Sequence, residues 1–195
     1  MDQSIILSLA LGVGLAAAVG FRIFLPLFIY GLAMHLGVLS APAGFEWAST
    51  APALLMFAIA GVIEILAYYV PLVDNGLDAV AGPLAVVAGI GVTAAALGDA
   101  PPMLKWALAI IAGGGIAAAT QGATVALRGV STATTAGLGN HLITTGEIIS
   151  AIALSLVAIM LPYIALGLVI VLAAIGLWVF LRRWKKSTIG RSAKA

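Results

Sequence analysis

The sequence predicts an all-α polytopic membrane protein, and three observations support that prediction. Of the 195 residues, 63% are hydrophobic and 8% are charged, whereas soluble domains have roughly a quarter charged residues. The mean hydropathy is +1.21. Nearly all of the chain from residue 5 to residue 181 divides into apolar stretches of the length that crosses a bilayer, about 20 residues. We therefore expect a single transmembrane domain over residues 1–186 and a basic tail over 187–195.

Polar breaks, or breaks that contain proline and glycine, divide the chain into eight hydrophobic segments. In order, the segments are 4–20, 24–39, 51–70, 77–97, 103–126, 130–143, 147–161 and 163–181. Segments 24–39 and 130–143 are short, because at about 1.5 Å per residue they barely cross a hydrocarbon core about 30 Å thick. We expect both to be re-entrant or broken helices.

The two halves of the chain align when the sequence is shifted by 106 residues. Arg22 then matches Arg128 and His35 matches His141, although the chain has only two histidines and only two arginines before its C-terminal tail. This match predicts a duplication of four segments, with one repeat at about 4–97 and the other at about 103–181. The short, polar-bearing segments favour inverted repeats, as in transporters with broken helices. If all eight segments cross, the halves are parallel instead.

The charge distribution predicts the orientation of the C-terminus. Six of the nine Lys and Arg residues lie among the last fifteen positions, so the positive-inside rule places this tail in the cytoplasm. The tail is expected to touch anionic lipid head groups rather than nucleic acid. The chain has no cysteine, which excludes disulfides and thiolate chemistry.

Arg22 and Arg128 are the first candidates for substrate binding. Two matched guanidiniums could bind the carboxylate or phosphate of a small anion, or each could be a structural clamp that ties down backbone carbonyls. Near Arg128, Ser131 and Thr132 could cap a new half-helix after a break at Gly129 and so face an anion. The alternative is that these hydroxyls bond to their own helix.

Two glutamates in apolar surroundings are further candidates. Glu64 lies well inside a hydrophobic segment, so it could carry a proton or pair with Arg22 or Arg128. Glu147 follows Thr-Thr-Gly at the expected start of a helix, so capping is the favoured role there. An ion or proton site that includes Glu147 is the alternative.

Two more sets of polar residues are candidate ion or proton sites. Asp74, Asn75 and Asp78 could hold a cation, although a turn and helix cap is the favoured interpretation. His35 and His141 are interpreted as hydrogen-bonded residues rather than metal ligands. We expect no metal and no cofactor.

The chain contains no P-loop, HExxH or GxSxG motif, so we do not expect an enzyme. Small-residue runs such as GVGLAAAVG are interpreted as helix-packing faces.

Four stretches resemble one known family. GFRIFLPL, YYVPLVDNGLDAVAGP, QGATVALRGVSTATTAGLGN and the terminal RRWKK are similar to the bacterial integral membrane family called domain of unknown function 4126. The resemblance covers essentially the whole chain. It implies a small multi-pass protein of the bacterial inner membrane, and it supplies no substrate or catalytic residues.

Two classes of function follow from these patterns. A transporter or channel for a small anion or a carboxylate-bearing solute would account for the duplication, the short segments and the intramembrane charges together. A non-catalytic accessory subunit or scaffold would use the same charges only to fix helix packing. The expected partners are the lipid bilayer, a small anion, and a second copy of the chain or another membrane subunit.

Overall fold

The computed structural model describes the backbone of residues 3–70 and 73–192, with side chains for 5–70, 76–176, 178, 181 and 182. Eight α-helices lie within these ranges: α1 (Gln3–Phe21), α2 (Phe24–His35), α3 (Ala51–Tyr68), α4 (Val73–Ala96), α5 (Pro102–Leu108), α6 (Gly115–Thr135), α7 (Asn140–Met160) and α8 (Pro162–Ser192). A 3₁₀ turn at Glu46–Ser49 precedes α3, and a π-helical turn at Ala109–Gly114 joins α5 to α6.

Four helical stretches among the described residues are long and apolar enough to cross a membrane. They are Ala51–Tyr68, Gly76–Ala96, Pro102–Thr135 and Asn140–Met160. Many of their large apolar side chains point outward rather than into the bundle, as expected where the solvent is lipid. The all-α polytopic prediction is confirmed, and the chain is a multi-pass membrane protein.

Small residues let α1 occupy the centre of the bundle, where it packs against α4, α6, α7 and α8. A Cβ atom added to Gly12 would lie 2.9 Å from the Cα of Thr93, and one added to Gly14 would lie 2.8 Å from the Cβ of Ala158. Only a helix face without side chains permits such close approach. The small-residue run of α1 is therefore a packing face, as predicted.

Replacing Gly20 with alanine should destabilise the protein, because the new Cβ would lie 2.5 Å from the Cβ of Thr120 and 2.8 Å from a carbonyl oxygen. Overpacking of this kind typically costs about 1–3 kcal/mol. Gly122→Ala on α6 is the matched control, since a Cβ there meets nothing within 4 Å. Thermal unfolding in detergent should show a clear loss for Gly20→Ala only. Equal effects of the two substitutions would contradict the close packing of α1.

α1 and α2 form a hairpin. Gly12 of α1 packs on Thr93 of α4, and Met34 near the end of α2 lines a cavity with Val92, the neighbour of Thr93. Gly12 in the middle of α1 and the end of α2 therefore lie at the same level along α4, and the chain reverses between them at residues 22–23. α2 has 12 residues, a length of about 18 Å, so it is short as predicted.

The second predicted short segment, 130–143, does not form a helix of its own. α6 continues through Gly129 without interruption and ends at Thr135, and α7 begins at Asn140. The chain turns between these helices, where two consecutive residues have positive φ values of 54° and 87°. The predicted segment therefore contains the end of one helix and the start of the next.

The absence of a nearby proline explains this difference between the halves. Pro26 follows Arg22 by four positions, whereas no proline follows Arg128 before the turn. A glycine such as Gly129 costs only about 1 kcal/mol inside a helix, which packing readily offsets. The duplication with inverted halves stays a prediction.

The buried residues among those described in α8 lie in its first part. Ala165 and Val169 are buried, whereas the described large apolar side chains that follow them are exposed. The helix itself continues to Ser192, across the predicted boundary between membrane domain and tail at residue 187. The side chains of most of the basic tail lie outside the described residues.

Candidate functional site

Arg22 lies at the break between α1 and α2, and Pro26 explains why the helix breaks there. Proline has no backbone N–H, and its ring collides with the carbonyl of the fourth residue before it, which here is Arg22. Proline is tolerated in the first turn of a new helix, where α2 places it. The Arg22 side chain is only 1% exposed, so this break lies deep in the protein.

Glu64 of α3 caps the start of α2. Its two carboxylate oxygens accept hydrogen bonds from the backbone N–H groups of Ile23 at 2.9 Å and Phe24 at 3.1 Å. These amides have no partner within their own helix, and a carboxylate also suits the positive end of the helix dipole. Glu64 therefore fixes the hairpin at its reversal.

Glu147 of α7 binds both arginines through one oxygen. Arg22 Nη2 donates to Glu147 Oε2 at 2.6 Å, and Arg128 Nη2 of α6 donates to the same oxygen. Glu147 is 4% exposed and Arg128 is 2% exposed. The two arginines that the sequence aligned therefore meet at a single buried carboxylate.

Asp78 of α4 holds the other side of Arg128. Arg128 Nη1 donates to Asp78 Oδ1 at 2.8 Å, and the hydroxyl of Tyr68 donates to the same oxygen at 3.0 Å. The Tyr68 ring also faces both guanidiniums, with the Cζ atoms of Arg22 and Arg128 at 3.9 Å and 4.1 Å from its centroid. This cation–π contact favours keeping two cations close together. We call Arg22, Tyr68, Asp78, Arg128 and Glu147 the charge cluster.

Some polar atoms of the charge cluster have no hydrogen-bond partner among the described residues. They are the Nε atoms of Arg22 and Arg128, and Oε1 of Glu147. One turn away on α7, the fully buried Oγ1 of Thr144 is in the same condition. Unsatisfied buried polar atoms are rare in proteins, so water or a ligand group would be stabilised here.

The predicted capping role of Glu147 and the predicted ion pair of Glu64 were wrong, whereas a proton-carrying role of either glutamate stays a prediction. Glu147 does not cap a helix, because α7 begins seven residues earlier at Asn140. Glu64 caps a helix instead, and it forms no ion pair within 4 Å among the described residues. The predicted alternative for Glu64, a partner of an arginine, thus describes Glu147.

Ser131 and Thr132 do not cap a half-helix, because α6 runs through both. Thr132 Oγ1 accepts a hydrogen bond from Asn140 Nδ2 at 3.1 Å across the turn, and Thr135 Oγ1 bonds back to the Ser131 carbonyl at 2.8 Å. The alternative interpretation, hydroxyls that bond to their own helix, describes Ser131, whose Oγ lies 3.5 Å from Thr135 Oγ1, whereas Thr132 bonds to α7.

The predicted ion site at Asp74, Asn75 and Asp78 lies partly outside the described residues. The side chains of Asp74 and Asn75 lie outside the described residues, and Asp78 is bound to Arg128 and Tyr68 rather than left as a cation ligand. Within the described part of the chain no group of three or more potential ligands could hold a metal.

The two histidines are exposed and lie at opposite ends of the bundle. His35 Nδ1 donates to the carbonyl of Ser49 at 2.7 Å, and His141 stacks on the Tyr69 ring at 5.7 Å. The interpretation as a hydrogen-bonded residue therefore describes His35, whereas the described contact of the His141 ring is its stacking on Tyr69.

Sequence reasoning missed Tyr68 and Thr144. Tyr68 stands ten residues before Asp78, across a helix junction, so no local spacing indicates that the two meet. Thr144 could be found from the sequence only if α7 is known to begin before it. Thr144 and Glu147 then lie three residues apart on the same face of one helix.

Comparison with known proteins identifies a family for this chain. A family model described as Domain of unknown function (DUF4126) matches residues 9–182, a range that contains the whole charge cluster. No curated protein and no solved structure matches the chain. The description of the family model states no activity, so the charge cluster itself is the basis for inferring a function.

Proposed function

Since the chain belongs to the family described as Domain of unknown function (DUF4126), we propose a function from its charge cluster: transport of a small anion or carboxylate-bearing solute. The observation that carries this proposal is the position of Glu147 Oε2 between the guanidiniums of Arg22 and Arg128. A carboxylate or phosphate of a solute would present the same oxygen to the same donors. In this conformation Glu147 holds the place of that anion.

The cost of burying charge supports a functional role. A charge within a membrane costs at least about 3 kcal/mol, and such residues usually mark solute or proton pathways. Here two arginines and two carboxylates lie within one cluster. Protonation of Glu147 would cancel its charge and leave the guanidiniums for an entering anion. We therefore propose that anion and proton move together.

The hairpin of α1 and α2 provides an element that could move. If the basic C-terminus is cytoplasmic, the hairpin is re-entrant from the opposite side of the bacterial inner membrane, with Arg22 at its tip. Broken helices of this kind build the solute sites of many transporters. A shift of the hairpin would separate Arg22 from Glu147 without disturbing the Arg128–Asp78 pair.

A scaffold or accessory subunit is the second candidate. It is favoured by the burial of both arginines and by their pairing with carboxylates of this same chain. Two cavities of about 260 Å³ have walls that include neither arginine. In that case the cluster fixes the packing of α1, α4, α6 and α7, and a second copy or another membrane subunit would be the partner.

The deciding experiment compares the wild type with Glu147→Gln. In proteoliposomes, the wild type should take up phosphate or small carboxylates faster when the outside is acidic. In detergent, the same anions should raise its melting temperature more at acidic than at neutral pH. Glu147→Gln should show anion effects that do not change with pH, and Glu46→Gln, an exposed acid, should behave as the wild type. A wild type without anion flux and without anion-dependent stabilisation would support the scaffold.

A further inference from the structure

An apolar cavity lies away from the charge cluster, between α2, α3 and α4 at the end of the bundle where α2 ends. Its volume is about 260 Å³, and its walls include four aromatic side chains: Tyr30, Phe45, Trp47 and Phe57. We call it the aromatic cavity. Trp47 and the α4 residue Val87 in its wall are 52% and 66% exposed, so the aromatic cavity opens on the outer surface of the bundle.

Small residues keep the aromatic cavity open. The α4 side of its wall is formed in part by Ala88, Gly91 and Ala95, and a Cβ added at Gly91 would meet no atom within 4 Å. α3 packs more extensively against α2 than against α4, which leaves the gap between α3 and α4 unfilled. Apolar cavities exclude water and accept apolar ligands, and the apolar molecules that surround a membrane protein are lipid chains.

A cation stands beside this apolar opening. Lys105 Nζ lies 5.6 Å from the centroid of the Phe45 ring and donates one hydrogen bond to the carbonyl of Gly98 at 2.9 Å. An ammonium group has three donors, so two remain for another acceptor. Among the described residues Lys105 forms no ion pair, although Glu46 and Asp99 are close in sequence to Phe45 and Gly98.

We propose that the aromatic cavity binds one acyl chain of an anionic membrane phospholipid, whose phosphate is bound by Lys105. The acyl chain would cover the aromatic rings and the face of Gly91, and the ammonium would neutralise the head group at the membrane surface, where basic residues attract anionic lipids. The site shares no residue with the charge cluster, so the proposed lipid binding does not depend on the proposed anion transport.

The experiment uses Trp47 as a reporter of the bound chain. The parent variant carries Trp106→Phe, Trp178→Phe and Trp184→Phe, so that Trp47 is the remaining tryptophan. It is reconstituted with phosphatidylglycerol or phosphatidylcholine whose acyl chains carry bromine, which quenches tryptophan fluorescence on contact. Quenching should be stronger with brominated phosphatidylglycerol. In the full chain, native mass spectrometry should show retained phosphatidylglycerol in preference to phosphatidylcholine.

Three substitutions test the assignment of residues. Gly91→Leu fills the aromatic cavity and should reduce the quenching by both lipids. Gly82→Leu is its matched control on α4, because a Cβ there also meets no atom within 4 Å and Gly82 is not part of the cavity wall. Lys105→Gln should abolish the preference for phosphatidylglycerol in both measurements.

Several results would overturn the proposal. If Trp47 is quenched equally in Gly91→Leu and Gly82→Leu, the acyl chains that quench it belong to bulk lipid and not to a bound lipid. If Lys105→Gln retains the preference for phosphatidylglycerol, the head group is bound elsewhere. Retention of an apolar compound without phosphate, or of no lipid at all, by the full chain would also contradict it. The mass measurement keeps the test decisive if the variant with three tryptophan replacements fails to fold.

Discussion

Glu147→Gln should destabilise the protein by roughly 3–5 kcal/mol, the usual effect of removing one partner from a buried ion pair. In the native site, two arginines are balanced by Glu147 and Asp78. The substitution removes one of the two negative charges and leaves the Arg22 guanidinium without a carboxylate partner. A glutamine amide can accept a hydrogen bond but cannot neutralise a cation.

A double variant tests whether the destabilisation comes from the lost charge balance rather than from the changed side-chain packing. Glu147→Gln combined with Arg22→Gln removes one charge of each sign, so the pair should be more stable than the sum of the single effects predicts. Thermal unfolding of detergent-purified protein gives the comparison, with the exposed Glu46→Gln as control. The charge cluster would not be an energetic unit if the double variant were as unstable as the sum of the single variants, or if Glu147→Gln behaved as Glu46→Gln does.

The arginines could be singled out from the sequence because rare residues carry information in an apolar chain. Charge inside a membrane requires a partner, so Arg22 and Arg128 were expected to face the interior and meet an anion or backbone carbonyls. The break after Arg22 was predictable as well, because Pro26 forbids a continuous helix at that point. Both statements rest on local chemistry. The choice between anion binding and a structural clamp for the two arginines stays a prediction.

The roles of the glutamates depended on a boundary that local chemistry does not determine. Thr-Thr-Gly before Glu147 resembles a helix start, but α7 begins at Asn140. The turn before it is closed by two residues with positive φ and by the bond from Asn140 to Thr132. This bond joins two helices, so neither segment alone predicts it. An error of two helical turns changes Glu147 from a cap to an interior residue.

The role of Glu64 also depends on packing that its own segment does not indicate. Its segment gives no sign that the broken start of α2 lies beside it, since the two are about forty residues apart in sequence. A carboxylate in an apolar helix can be satisfied by a cation or by free backbone amides. Only the packing of α3 against α2 decides between the two. Tyr68 is placed against both arginines by that same packing.

Arg128→Lys should be more damaging than Arg22→Lys, although the sequence presents the two arginines as equivalent. Arg128 uses two nitrogens to bind two carboxylates, Asp78 and Glu147, whereas the described ion pair of Arg22 uses one nitrogen and one carboxylate. Lysine offers one nitrogen on a flexible stem and cannot reproduce the planar fork. Losing one charge-assisted hydrogen bond should cost roughly 1.5–3 kcal/mol.

Melting temperatures of the two lysine variants, measured side by side in one detergent, provide the test. The same two lysine substitutions are also made in a variant that carries Asp78→Asn, because this change removes the second carboxylate partner of Arg128. When Asp78→Asn is already present, Arg128→Lys should cost less than it does in the wild type, since one of the two contacts is gone. Arg22→Lys should cost nearly the same in both backgrounds. Equal costs for the two lysine substitutions in the wild type would mean that the bridge from Arg128 to Asp78 contributes little, and the site would then reduce to two arginines on one glutamate.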